Sequence, residues 1–156
     1  MKLFRTAFGA AFLVACLDQS ALATTQNVIF NGTISPTCTL VIATNGTMTV
    51  SPDLQSLSSH NSGGSAGTVT LTTTGGVSLS VDPVTTTTVP SADTTSTTWT
   101  PTYSSAGTHS IVETGSATAI STPGADLVSV HLAGTKGGSN RFANGNYQAT
   151  VTLRCE

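Results

Sequence analysis

The end of the chain carries its plainest pattern. Tyr147, Ala149, Val151, Leu153 and Cys155 alternate with Gln148, Thr150, Thr152, Arg154 and Glu156. A strand puts successive side chains on opposite faces, so this spacing predicts a final strand with one inward and one wet face. Asn144-Gly145 stands just before it, where a residue tolerant of positive φ can turn the chain into the strand. The opening repeats the pattern. Val28, Phe30, Ile34, Cys38 and Leu40 share one parity, with Gly32 and Pro36 between them and Asn and Thr prominent on the other; Ile29 is the bulky exception. This predicts a first strand over 28–40, apolar face inward, bent near Gly32 or Pro36, because proline in a strand belongs at an edge or a bulge. Cys38 and Cys155 each lie in phase with the inward face of their strand.

Between these ends the chain reads as short strands and turns. Residues 39–43 and 47–50 flank Asn45-Gly46, a two-residue hairpin signal. Residues 53–67 form a polar connection with Leu54 and Leu57, read as a short helical turn. Residues 68–73 and 77–81 alternate Val and Leu with Thr and Ser around Gly75-Gly76. The Thr-rich run 85–98 reads as a long loop or disorder. Trp99 and Tyr103 then mark a strand interrupted at Pro101, and 110–113 is a short one. Leu127, Val128, Val130 and Leu132 make a late strand, which 136–144 connects to the last. The expected fold is all-β: a single immunoglobulin-like antiparallel β-sandwich of about seven or eight strands over 24–156.

Composition supports this. Charged residues are 8% of the chain, about a third of the usual share. Thr, Ser and Gly take their place, and these suit pleated surfaces and turns. A net charge of −2 and a pI near 5.8 leave no electrostatic footprint for nucleic acid. Lys2 and Arg5 precede the apolar run 7–17, and Ser20-Ala21-Leu22-Ala23 supplies small residues at a cleavage site. The expectation is a signal peptide over 1–23 and an exported protein, whether periplasmic, cell-surface or extracellular. A competing reading takes Leu13-Val14-Ala15-Cys16 as a lipobox with Cys16 lipidated, the one route by which the chain would be tied to a membrane.

Export makes the cysteines legible. With Cys16 in the leader, Cys38 and Cys155 remain, and two cysteines in an exported chain usually pair. The bond would close a loop of more than 100 residues, worth roughly 4–5 kcal/mol at most by chain entropy. Two cysteines with no vicinal histidine are too few ligands for a metal.

Candidate chemistry is sparse. Gly63-Gly64-Ser65-Ala66-Gly67 matches G-x-S-x-G, but a nucleophile elbow needs a helix after the serine and a strand pattern follows here. His60, His109 and His131 stand apart with no ligand spacing and read as solvated. Asp53, Asp82, Asp93 and Asp126 stand near Pro or Gly and read as turn residues. Asn31-Gly32-Thr33 and Asn45-Gly46-Thr47 match glycosylation sequons that turn chemistry also explains. Trp99 and Tyr103 fit either a core position or an exposed sugar platform. No catalytic residues, metal or cofactor are expected.

Val28-Ile29-Phe30-Asn31-Gly32-Thr33-Ile34 followed by Cys38 resembles the opening of bacterial fimbrial (pilin-like) subunits and spore-coat-U-like secreted proteins, and Gly145 to Leu153 resembles their closing strand. The resemblance implies an exported immunoglobulin-like sandwich, often assembled by adding an extended segment of one subunit to the next. Two features depart from a polymerising subunit: only 24–27 would precede the first strand, and a first-to-last bridge would close the domain. The expected function is a structural or adhesive surface protein working by protein–protein contact, with homo-assembly among its routes. The alternative is a non-enzymatic accessory module that binds a polysaccharide or a fibre.

Overall fold

The computed structural model describes residues 23–156. The leader apart from Ala23, and with it Cys16, lies outside the described residues. The chain divides into two units, Met1–Gly32 and Thr33–Glu156. In the first, 23–32 carry no strand, and Val28, Ile29 and Phe30 are exposed, Phe30 by 92%.

The second unit is all-β. Its strands are β1 (Cys38–Thr44), β2 (Thr49–Val50), β3 (Ser56–Ser58), β4 (Gly67–Thr73), β5 (Val77–Val81), β6 (Thr86–Thr88), β7 (Thr97–Gly107), β8 (Ile111–Thr114), β9 (Thr118–Ile120), β10 (Gly124–Lys136), β11 (Gln148–Thr150) and β12 (Leu153–Cys155). All pairings are antiparallel. The strands form a seven-stranded sheet (β1, β2, β3, β4, β7, β8, β10), a three-stranded sheet (β12-β5-β9) and the pair β11-β6. The thirteen-residue β10 is the spine of the large sheet. One edge of it is shared by β4 and β3, and the other pairs with β7 along Asp126 to Lys136.

The core lies between layers. Val69, Leu71, Tyr103 and Val128 from the large sheet meet Val77, Leu79 and Ile120 from the three-stranded sheet. The alternation read in the sequence accounts for this: Thr70 and Thr72 of β4 face out while Val69, Leu71 and Thr73 are buried. Burying each large aliphatic contributes about 1.5–3 kcal/mol. The chain crosses between layers at Gly75 and Gly76, whose φ of 82° and 74° few other residues would tolerate.

Five expectations are corrected. The first strand begins at Cys38 rather than residue 28, and Ile34 is exposed. β4 provides the reason: Cys38 pairs with Thr73, after which β4 turns away, so residues before Cys38 have no ladder to join, and Pro36 has no N–H to offer. Asn45-Gly46 forms no hairpin. β1 pairs with β4 while β2 pairs with β3, and neither Asn45 nor Gly46 has the positive φ that a tight hairpin turn requires. Residues 53–67 hold β3 and no helix, with Leu54 at φ 61° in the turn before it. Residues 85–98 hold β6, paired to β11. Pro101 does not interrupt β7 either; it sits opposite Leu132 where the outer edge of β7 is unpaired.

Candidate assembly groove

Cys38, Leu40 and Ile42 share one face of β1, the face that looks across to the other layer. Cys38 is bonded to Cys155 of β12, across a sequence separation of 117 with Cα atoms 6.1 Å apart. The bridge therefore joins the first strand to the last and the large sheet to the small one. A disulfide fits an oxidising compartment. Leu40 is half-buried beside it, but Ile42 is 71% exposed. The layers are thus clasped at one end of β1 and uncovered at the other.

The uncovered end is an open cavity of about 390 Å³. Its apolar lining includes Ile42, Val69, Val130, Leu132, Ala149 and Val151. The final stretch meets its predicted alternation throughout, since Tyr147, Ala149, Val151, Leu153 and Cys155 are all half-buried and the residues between them exposed. It divides between β11 and β12, each paired on one side only among the described residues. Among those residues β1 likewise pairs only with β4. The groove is bounded by free strand edges, which present unpaired N–H and C=O groups.

The other candidate residues fall elsewhere. Tyr103 is fully buried, and its hydroxyl reaches across the layers to the Leu79 carbonyl at 2.7 Å, with Ser116 O and Thr118 Oγ1 at 2.9 Å. It belongs to the core and to no exposed platform. Trp99 lies half-buried over its cross-strand partner Gly134, where a Cβ would meet the indole ring at 2.5 Å. Ser65 is bonded to Thr47 at 2.8 Å and leads into β4, so the G-x-S-x-G stretch is a turn between strands.

Two aspartates are not mere turn residues. Asp93 and Lys136 form an ion pair at 2.7 Å with both side chains essentially buried. Tyr147 Oη donates to Asp93 at 2.7 Å, and Lys136 Nζ donates to Thr95 O at 2.8 Å and lies 4.9 Å from the Phe142 ring centre. Burial opposes charge on Asp93, but hydrogen bonds from Lys136, Tyr147 and Thr95 outweigh it and hold its pKa down to about 2. Asp126 is buried and accepts from the His109 backbone N–H and contacts its ring Nδ1, both at 2.6 Å, while His109 Nε2 lies 3.0 Å from Thr122 Oγ1. This carboxylate pins the turn after β7 onto β10, so His109 is not a solvated residue. Asp53 does cap a turn, accepting from Ser51 and from Gln55 N–H, and Asp82 pairs with Arg154.

His60 and His131 are not isolated. Their rings stack with centroids 4.0 Å apart, and His60 Nε2 lies 2.9 Å from Glu113. Sequence spacing holds no sign of this, because antiparallel pairing brings together residues from the turn after β3, from β8 and from β10. Burial, and secondarily the charge of His60, push the pKa of His131 down.

No protein-family model matches the chain, and no curated protein or solved structure matches it significantly.

Proposed function

We propose that this is an exported, pilin-like structural protein of the cell surface that works by protein–protein contact, and that residues 28–34 of one copy add as a strand to the groove of a second copy. The observation that carries this is a pair of complementary exposures. One is an alternating apolar segment outside the sheets, Val28, Phe30 and Ile34; the other is an apolar cleft uncovered at Ile42. Residues 28–34 would span about 20 Å as a strand, placing Val28, Phe30, Gly32 and Ile34 on one face. The free edges supply backbone partners, and the apolar lining takes alternate side chains.

A second copy is favoured over the chain's own groove. The chain enters the domain at the clasped end, where Thr37 N–H donates to Thr74 Oγ1 and the Thr74 hydroxyl donates to Ser35 O. The groove opens about 13 Å further along β1, four residues on. Both objections raised by the sequence lose force. The donor is the stretch first read as a domain strand, and the bridge closes one end of the cleft only.

The test is light scattering on the chromatographed mature chain over a range of concentrations. The expected result is concentration-dependent self-association that Phe30→Asp and Ile34→Asp abolish. A monomer at every concentration, with 28–34 protected from proteolysis, would sink the reading in favour of self-complementation.

A further inference from the structure

We propose a binding site for a divalent transition-metal ion of the zinc class, built from His60 Nε2, His131 Nε2 and a carboxylate oxygen of Glu113, on the outer face of the large sheet. His131 and its cross-strand neighbour Thr102 lie on the opposite parity from the core residues Val128 and Tyr103. Glu113 stands on β8, and His60 in the turn that follows β3. Of the three ligands, His131 also borders the assembly groove.

Three observations converge. The ligand-capable atoms of His60, Glu113 and His131 all lie within 4.8 Å of one another. Metal–nitrogen and metal–oxygen bonds of about 2.0–2.2 Å require ligand atoms slightly more than 3 Å apart. His60 and Glu113, in hydrogen-bond contact at 2.9 Å, need part by only a fraction of an ångström to reach that spacing, and both are partly exposed.

Two of the ligands are also held by neighbours. His131 Nδ1 is 3.0 Å from Ser59 Oγ, which itself accepts from the Leu132 backbone N–H at 3.1 Å. A proton on Nδ1 directed at Ser59 leaves the Nε2 lone pair for a metal. Thr102 Oγ1 donates to Glu113 Oε1, the oxygen that also faces His60 Nε2, which leaves Oε2 without a protein partner among the described residues. Metal sites use such outer partners to fix ligand orientation.

The donor set selects the ion. Two imidazoles and one carboxylate suit zinc, nickel or copper, whereas magnesium and calcium prefer all-oxygen shells. Three protein ligands leave a fourth position for water or for a donor from another molecule.

The experiment is calorimetric titration of the untagged, disulfide-intact chain with zinc chloride, with cobalt(II) absorption as an independent report on coordination. One zinc per chain is expected. His60→Ala and Glu113→Gln should weaken binding on the order of tenfold or more, and Thr102→Val by about tenfold through loss of ligand orientation. His60 is exposed, so His60→Ala keeps the test valid even if His131→Ala fails to fold. No saturable binding, or binding that His60→Ala and Glu113→Gln leave unchanged, would overturn the site.

Discussion

Cys38 and Ile42 stand on one face of β1 four residues apart, and one is bonded across to the opposite layer while the other is largely bare. A bridge at one end keeps the layers from parting there, so the cleft at the other end is held at a defined width. Ile42→Asp separates assembly from folding. An exposed position changes stability by about 0.5 kcal/mol or less, while a carboxylate in an apolar groove lined by Val69, Val130 and Val151 opposes an incoming strand. Urea midpoints that stay put while light scattering loses the oligomer are the expected result.

Breaking the bridge itself is expected to be costly. The Cys38→Ser/Cys155→Ser variant should lose about 2–5 kcal/mol in denaturant titrations, because a loop of this length restricts the unfolded chain strongly. Intact-mass measurement should show a gain of about two daltons on reduction of the native protein, one hydrogen per sulfur. Equal stability with and without reductant would show that the link contributes little.

Gly134 is needed as a glycine because the Trp99 ring occupies the place of its side chain. Gly134→Val forces the indole off the strand and should cost about 1–3 kcal/mol by overpacking, with a red shift in tryptophan emission as the ring meets water. Trp99→Ala in the same background should remove most of that penalty. Additive losses in this double-mutant cycle would deny the contact.

The sequence could be read wherever one strand carries its own signal. The alternation over 145–156, the Val and Leu positions of β4 and β5, and the phase of the two cysteines all express period-2 burial, and these features are present in the fold. What could not be read was partnership. Residues 28–34 alternate apart from Ile29, yet β4 turns away after Thr73 and leaves them unpaired. Asn45-Gly46 looks like a hairpin turn, but β1 pairs with a strand more than twenty residues on. The same blindness hid His60, Glu113 and His131, which become neighbours only through the stacking order of β3, β10, β7 and β8. Asp93 was opaque for a related reason: its partners Lys136 and Tyr147 lie 43 and 54 residues away.

That buried network gives the domain an acid-sensitive joint. Asp93 has its pKa lowered to about 2, against about 3.9 for an ordinary aspartate. A depressed folded-state value means the carboxylate stabilises the fold fully above about pH 4 and loses that contribution as pH falls from about 4 through 2. Denaturation followed across that window should steepen for the native chain and flatten in Asp93→Asn. At neutral pH, Lys136→Met should cost about 3–5 kcal/mol by leaving a buried carboxylate uncompensated. The double variant Asp93→Leu/Lys136→Met should recover part of the loss, since apolar replacement removes both desolvated charges together. A double variant as unstable as Lys136→Met alone would mean that Tyr147 and Thr95, and not the ion pair, hold the joint between 85–98 and the end of β10.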